Sequence, residues 1–383
     1  MLAVVSLAQF LGMTLWFSAT AVTPFLIAEF AIPDRNAAWL TMAVQAGFVT
    51  GTLVSAVGNL ADVLNARVLM FLGSTIGAAS NAAVIVAPGS EAVIALRFLT
   101  GASLALVYPP AMKIAAGWFR DRRGFALGLL IGALTLGKAF PHLLTALFGA
   151  AWREPMLLAS GLSLAGGLLV LAFVRDGPYV AATAPFDPHA IRKILASRGA
   201  RLATLGYLGH MWELYAMWTW MAAFATASFV ASGVSDANAA GSIAAFVAIG
   251  SGALGCGLAG LLADRLGKAR VAMWAMLVSG TCAALTLAVY GRSPALLYLL
   301  VILWGFAVVA DSAQFSALVS EHAPREHVGT ALTLQTCAGF LLTIVTIELL
   351  PQVAAATSWQ WASLLLVPGP FLGAWAMWKM QKD

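Results

Sequence analysis

The sequence predicts an all-α polytopic membrane protein with about twelve transmembrane helices, arranged as two pseudo-symmetric six-helix bundles. Hydrophobic residues make up 61% of the 383 residues and charged residues only 10%, whereas soluble domains are about 25% charged. Apolar runs of about 20 residues, long enough to cross about 30 Å of hydrocarbon, recur along the chain. We expect helices rather than a barrel for these runs, because a helix satisfies its own backbone hydrogen bonds in lipid.

The apolar runs fall into two sets of six. The first set is centred near Met13, Gly47, Ala78, Leu104, Ala133 and Leu164. The second set is centred near Met217, Ile249, Leu277, Leu303, Phe340 and Leu366. Residues 175–201 lie between the sets and hold several prolines and five cations, a composition typical of a linker. We predict an N-terminal bundle over residues 1–174, a cytoplasmic linker over 175–201 and a C-terminal bundle over 202–383.

The two sets repeat each other at a nearly constant spacing. Matching residues lie 202, 204 and 205 positions apart, in the pairs Asp62 and Asp264, Gly101 and Gly305, and Gly124 and Gly329. The first apolar run also aligns with the seventh at a spacing of 204. These spacings indicate a duplicated six-helix unit. Related halves around a central site are a recurrent plan among transporters.

The positions of Lys and Arg predict the orientation. With the N-terminus inside, 15 of the 21 Lys and Arg fall in cytoplasmic segments, and the outside loops hold Arg35, Arg153 and Arg292. Because cytoplasmic loops carry the excess of cations, we expect both termini in the cytoplasm and the protein in the plasma (inner) membrane. The first apolar run continues to about Phe30, too long for a cleaved signal peptide, so we interpret it as a retained span.

Two loops carry one short pattern. Residues 58–67 read GNLADVLNAR, and residues 260–270 read GLLADRLGKAR. The pattern resembles the loop signature of the major facilitator superfamily, Gly-x-x-x-Asp-Arg-x-Gly-Arg-Arg, which follows the second and eighth transmembrane helices. The resemblance implies that superfamily's fold, a monomer, and a latch for the outward-facing state formed by Asp62, Arg67, Asp264, Arg265 and Arg270. The first copy departs from the pattern at Val63 and Asn65.

Polar residues at bilayer depth mark candidate sites, because a charge there costs at least about 2.5–3.5 kcal/mol and has to face a cavity or a partner. Lys138 lies about 15 residues into the fifth helix, near the midplane, and His142 follows one turn later. We expect Lys138 to line a central cavity and meet an anion, either a substrate or an acid of the other half. The alternative for His142 is a bond to a carbonyl freed by Pro141. The other predicted substrate-binding residues are Trp16, Tyr215, Gln314 and Gln335.

The fourth helix contains Arg97-x-x-x-Gly101, which looks like a superfamily motif associated with proton-coupled members. The resemblance implies a structural or coupling role for Arg97, and the alternative is a cation that snorkels to the surface. Tyr108-Pro109-Pro110 is predicted to break this helix near its cytoplasmic half.

The second half supplies candidate proton carriers. His210 and Glu213 are three apart in the seventh helix, and an acid beside a histidine can exchange a proton near neutral pH. We predict Glu213 as the proton carrier, with His210 tuning it and Asp311 of the tenth helix assisting. A structural His–Glu pair between two helices is the alternative. We expect Lys138, the two histidines and the two acids to border one shared chamber.

Together these features predict a secondary active transporter that moves a small organic or inorganic anion by alternating access with proton coupling. The alternative is a proton-driven exporter of amphipathic or cationic compounds. The chain distantly resembles the nitrate/nitrite branch of the superfamily around Lys138, Pro141 and His142, but it lacks that branch's glycine signature and central arginines.

Other classes are disfavoured. An enzyme is not expected, because His210-x-x-Glu213 is not accompanied by a complete catalytic or ligand set. Cys256, Cys282 and Cys337 are too widely spaced for a zinc knuckle, so we expect neither a metal nor a cofactor. A receptor or scaffold that binds without transport stays an alternative. The expected partners are a small-molecule substrate, protons and the lipid bilayer, with no nucleic acid, since the cations sort by loop.

Overall fold

The structure, a computed structural model, describes residues 1–119, 123–179 and 187–382, without the side chains at positions 61, 62, 123–125 and 188. Within these residues every regular element is a helix. Eleven helical stretches are long and apolar enough to cross a membrane, and a shorter apolar helix, Leu2–Met13, precedes them. The predicted all-α polytopic fold with about twelve spans is therefore confirmed.

We number the twelve helical stretches as segments 1–12. Segments 1 to 3 consist of Leu2–Met13, Ser18–Ala21 and Thr23–Phe30; Trp39–Val57; and Ala66–Ala83. Segments 4 to 6 consist of Ser90–Leu104 and Tyr108–Trp118; Arg123–Phe148; and Arg153–Phe173. Segments 7 to 9 consist of Arg198–Ala231; Ala237–Leu266; and Lys268–Val289. Segments 10 to 12 consist of Pro294–Ala310 and Ser312–His322; Val328–Ala356; and Trp359–Ala362 and Pro368–Met380. Short helices Leu60–Val63 and Ile191–Ala196 lie in connections.

Four segments leave the α-helix within their length, and in segment 12 this is a 3-10 turn over Ser363–Leu366. Segment 1 leaves the α-helix between Met13 and Ser18, and segment 4 does so between Leu104 and Tyr108, just before its Pro-Pro pair. Segment 10 breaks at Asp311, 204 residues after Val107. Because interrupted backbone at this depth needs partners other than lipid, these breaks have to face protein or a cavity.

We call segments 1–6 the N-terminal half and segments 7–12 the C-terminal half. Segment 5 packs along segment 8, and segment 2 packs along segment 11, so these pairs join the halves. In the first of these contacts Gly132 of segment 5 approaches Ala253, whereas no atom lies within 4 Å of a Cβ at Gly128. The bundle limits at residues 174 and 202 stay predictions.

The two halves share a backbone-to-backbone helix crossing at equivalent positions. In the N-terminal half, a Cβ added at Gly101 of segment 4 would overlap the backbone oxygen of Val44 in segment 2. In the C-terminal half, a Cβ at Gly305 of segment 10 would overlap the backbone oxygen of Ala248 in segment 8. Gly101 and Gly305 are 204 positions apart, and so are Val44 and Ala248. Glycine is required at these crossings because any side chain would push the helices apart.

Candidate functional site

A cavity of about 970 Å³ lies between the two halves. Side chains of segments 1, 2, 4, 5, 7, 10 and 11 line it. It opens on the side of the loops at residues 58–65 and 323–327, where the half-exposed Asn59 and the exposed Glu321 form part of the mouth. At the other end the lining residues Trp16, Lys138 and Trp218 are almost completely buried, so the cavity ends there.

Lys138 lies at this closed end inside a cage of aromatic rings. Its Nζ atom lies 3.8 Å from the ring centroid of Trp16, 4.7 Å from that of Tyr215 and 5.5 Å from that of Trp218. The Nζ atom also donates a hydrogen bond to the Tyr215 hydroxyl. Cation–π contacts of this kind are worth more where water is excluded. Among the described residues, no carboxylate forms an ion pair with Lys138.

The closed end is built from rings of both halves, which we call the aromatic floor: Trp16, Phe48, Tyr215, Trp218 and Phe340. The Phe48 and Phe340 centroids are 4.7 Å apart, those of Trp16 and Phe48 are 5.0 Å apart, and those of Tyr215 and Phe340 are 5.1 Å apart. These tilted pairs have the separations that aromatic rings prefer. The floor therefore closes the path between the halves on the side away from the mouth.

The aromatic floor also holds unused hydrogen-bond donors. The indole Nε1 atoms of Trp16 and Trp218 are buried and have no hydrogen-bond partner among the described residues. The Tyr215 hydroxyl accepts from Lys138, and no hydrogen bond donated by it is found in the described part of the chain. Buried donors normally find acceptors, so these groups are candidates for binding a ligand's oxygens.

The two acids of the C-terminal half lie away from the cavity. The Glu213 carboxylate accepts hydrogen bonds from Ser279 Oγ at 2.6 Å and from Trp304 Nε1 at 2.7 Å. His210 Nδ1 and Asp311 Oδ1 are 2.8 Å apart, close enough for an ion pair when the imidazole is protonated, although the approach lacks hydrogen-bond geometry. None of these acids and neither histidine is among the described residues that line the cavity. The expectation of one shared chamber is therefore wrong in this conformation.

Segment 7 explains the difference. Its lining residues are Tyr207, Met211, Leu214, Tyr215 and Trp218; four of them are spaced by four, three and four, Tyr215 is next to Leu214, and all five share one helix face. His210 and Glu213 lie on the other side of the helix, against segments 9 and 10. The sequence contained this signal, because aromatic residues at positions 207, 215 and 218 form a stripe at helical spacing.

The remaining predicted substrate-binding residues divide in the same way. Trp16 and Tyr215 line the cavity with Lys138, whereas the buried His142, Gln314 and Gln335 are absent from its described lining. The His142 ring centroid lies 6.2 Å from that of Phe17, and neither ring nitrogen has a partner among the described residues. Sequence reasoning missed Trp218, Phe48 and Phe340 as lining residues.

Arg97 is fully buried and also lies away from the cavity. Its guanidinium donates to the backbone oxygens of Leu15 at 3.2 Å, Trp16 at 2.7 Å and Leu40 at 3.3 Å. It also donates to Asn81 Oδ1 at 2.8 Å and to Ser18 Oγ at 3.2 Å. Two of the three carbonyls belong to the interruption of segment 1. Arg97 therefore braces this interruption, and with it the backbone that carries Trp16.

Comparison with known proteins assigns this chain to a family. A sequence model of the Major Facilitator Superfamily matches residues 5–236 and 235–383, which together cover almost the whole chain. The chain belongs to the Major Facilitator Superfamily. Its members are transporters, so this chain is a multi-pass membrane protein of a transporter superfamily.

Two individual similarities accompany this assignment. The crystal structure of the nucleoside transporter NupG, a D323A mutant, superposes with a TM-score of 0.72 and 17% sequence identity over 99% of both chains. At that identity the likeness concerns the superfamily fold. An uncharacterized transporter of Saccharomyces cerevisiae, ESBP6, is 26% identical over 184 residues, which cover 45% of this chain and 27% of the yeast protein.

The superfamily loops make matching contacts in the two halves. In the first, Arg67 donates to the Val174 backbone oxygen at 2.9 Å and lies 3.5 Å from the Asp176 carboxylate. In the second, Arg270 Nε lies 3.5 Å from Gln381 Oε1. The two arginines are 203 residues apart and their partners 205 apart, so the contact repeats with one acid replaced by an amide.

The other predicted gating residues contribute fewer contacts. Asp264 and Arg265 are exposed, and Lys268 of the same loop pairs with Glu321 at 2.6 Å. The side chain of Asp62 lies outside the described part of the structure.

Proposed function

We propose that this chain is a secondary active transporter that moves a small organic or inorganic anion by alternating access, with proton coupling through the C-terminal half. The observation that carries the proposal is the position of Lys138 at the closed end of the cavity without a carboxylate partner among the described residues. A buried ammonium requires a compensating charge or strong hydrogen bonds. The aromatic rings and one hydroxyl compensate it in part, and an anionic substrate would complete the compensation.

A cationic cargo is less well supported. Binding it would require an acid on the cavity wall, and among the described lining residues the one carboxylate is that of Glu321 at the mouth, where it pairs with Lys268. Glu213 and Asp311 do not line the cavity. The charge inside the cavity therefore favours an anion over the alternative of a cation exporter.

Proton coupling is proposed for Glu213, with His210 and Asp311. These groups are buried within one stretch of segments 7 and 10, and Glu213 is oriented by Ser279 and Trp304. An acid in this environment can exist in charged and neutral forms, and the neighbouring imidazole can hold the exchanged proton. Because the acids are separated from Lys138, proton and anion would act through the relative movement of the halves rather than by contact.

The orientation is part of the proposal. The cavity mouth lies beside the loops that carry most of the cations, which the positive-inside rule assigns to the cytoplasm. The conformation is then inward-open, with both termini on the cytoplasmic side of the plasma (inner) membrane.

Uptake by proteoliposomes tests the proposal. Purified protein is screened for transport of carboxylates and oxyanions, and each transported anion is then measured with Lys138→Ala, Lys138→Arg and the control Lys193→Ala, which removes an exposed linker lysine. We expect transport to be abolished by Lys138→Ala, partly kept by Lys138→Arg and unchanged in the control. Full anion uptake by correctly folded Lys138→Ala protein would overturn the proposed role of Lys138.

A further inference from the structure

We infer that the transported anion carries a single negative charge on a flat aromatic body, as an aromatic monocarboxylate does. This inference rests on the proposed function and names its substrate class. It follows from three properties of the closed end of the cavity: its charge, its walls and the balance of its hydrogen-bonding groups.

The charge of the site matches one carboxylate. The described lining residues include two lysines, Lys113 and Lys138. Lys113 lies in the second helix of segment 4, toward the mouth of the cavity, so Lys138 is the one cation among them at the closed end. A second negative charge on the ligand would have no counter-charge in a region that excludes water. Because an uncompensated buried charge is strongly unfavourable, a dianion should bind much more weakly than a monoanion.

The walls of the site match a flat ring. The aromatic floor presents five rings from both halves, and Met112, Ile131 and Leu134 continue the apolar lining above it. These rings pack against one another at centroid separations of 4.7 to 5.7 Å, and a ligand ring at the end of the cavity would extend this packing. A short aliphatic acid would pair with Lys138 but make no ring contact.

The unused hydrogen-bonding groups of the floor are donors. They are the Nε1 groups of Trp16 and Trp218 and the Tyr215 hydroxyl, beside the Lys138 ammonium. Side-chain amide and carboxylate acceptors in the described lining are Asn59 and Glu321, both at the mouth. These donors favour a carboxylate, which offers only acceptors, whereas lining hydroxyls such as those of Thr135, Ser312 and Thr333 can both donate and accept. The likeness to a nucleoside transporter concerns the fold alone, so uridine is included in the test as a ligand rich in donors.

Calorimetric titration of the purified full-length chain with a matched ligand series tests the inference. Benzoate is compared with terephthalate, which adds a second charge; benzamide, which removes the charge; acetate, which removes the ring; cyclohexanecarboxylate, which removes planarity; and uridine. We expect benzoate to bind most tightly, at least about tenfold more tightly than terephthalate, benzamide, acetate and uridine. Cyclohexanecarboxylate should be weaker by about three- to tenfold, the range of a ring-stacking contact.

Variants of the floor sharpen the test. Trp218→Phe keeps a ring but removes the Nε1 donor, so it should weaken benzoate binding by about ten- to 150-fold, the loss of one hydrogen bond to a charged group. Trp378→Phe, on the exposed surface of segment 12, is the matched control and should leave binding unchanged.

The outcomes separate the two proposals. If terephthalate, acetate or uridine binds as tightly as benzoate or more tightly, the inference of an aromatic monoanion is overturned. If the binding of that anion is lost in Lys138→Ala, the proposed anion site still stands. Binding of no anion, or binding that is unchanged in Lys138→Ala, would overturn both.

Discussion

The two halves of the molecule share a scaffold but bury charges of opposite sign. Both contain the same glycine crossing, Gly101 against Val44 and Gly305 against Ala248. The N-terminal half buries two cations, Arg97 and Lys138, whereas the C-terminal half buries two acids, Glu213 and Asp311. The duplicated positions therefore maintain the helix packing, and a small number of unduplicated positions carry the chemistry.

Equivalent positions show how few substitutions separate the halves. At a spacing of 204, Arg97 corresponds to Val301, Asp311 to Val107, and Glu213 to Gln9. The last pair is the most informative, because both side chains are buried in the first helix of their half and differ by one functional group. The proposed proton site of the C-terminal half thus corresponds to a position that cannot carry a proton in the N-terminal half.

The largest effect is expected from the shared scaffold. Gly101→Val and Gly305→Val should both prevent folding, because each Cβ would overlap a backbone oxygen that has no room to move. Size-exclusion profiles of the detergent-solubilised proteins measure this. Gly161→Val and Gly257→Val are matched controls, since no atom lies within 4 Å of a Cβ at either position. A folded, monodisperse Gly305→Val protein alongside an unfolded Gly101→Val protein would show that the crossings are not equivalent.

A large effect confined to the N-terminal half is expected from Arg97→Met. Loss of its five hydrogen bonds removes a donor from each of the Trp16, Leu40 and Leu15 carbonyls, of which Leu15 also accepts from Ser18 Oγ, and should destabilise the fold by about 2–4 kcal/mol. Thermal unfolding measures the loss, with Arg153→Met at the exposed pair with Glu29 as the control. Arg97→Lys should restore part of the stability. An unchanged melting temperature for Arg97→Met would contradict the bracing role.

Transport should lose its coupling to protons when Glu213 is changed to glutamine, the residue type of its N-terminal counterpart Gln9. A pH gradient of one unit supports about tenfold accumulation in a one-proton symport, and Glu213→Gln should reduce this to about onefold while anion exchange persists. Uptake into proteoliposomes and proton flux with an internal pH dye measure both quantities. Glu326→Gln, in an exposed loop, is the control. Undiminished proton flux in Glu213→Gln would remove Glu213 from the proposed pathway.

The smallest effect is expected at the repeated loop contact. Arg67→Ala removes the hydrogen bond to the Val174 backbone oxygen and a half-exposed pair with Asp176; the pair should contribute about 0.2–1 kcal/mol, a contribution that salt reduces. Arg270→Ala faces Gln381 and should cost less, without salt dependence. Melting temperatures at low and high salt compare the two. Gln381→Asp should give the second contact the salt dependence of the first, and failure to do so would break the equivalence of the loops.

Sequence reasoning predicted the parts of this molecule that depend on distance along a helix. The number of spans follows from apolar length, and the position of Lys138 at the closed end of the cavity follows from its depth in segment 5. The interruption of segment 4 was predictable from Pro109 and Pro110, because proline removes a backbone donor.

The direction in which a helix faces was harder to predict. Glu213 and Tyr215 are two residues apart, about 200° around a helix, so only one of them can face the cavity. Their depth in the membrane predicted that both would line the cavity, but in the structure only Tyr215 does. The partners of Glu213 come from segments 9 and 10, Ser279 and Trp304, and no local pattern in segment 7 identifies them.

The interruption of segment 1 has a mechanical consequence. A continuous helix transmits a tilt along its entire length, whereas non-helical backbone between Met13 and Ser18 allows the C-terminal portion of segment 1 to pivot while its N-terminal portion stays docked. Trp16 lies at this joint and forms part of the aromatic floor. A rotation of a few residues could then swing one wall of the floor aside, with far less rearrangement than displacing a complete helix.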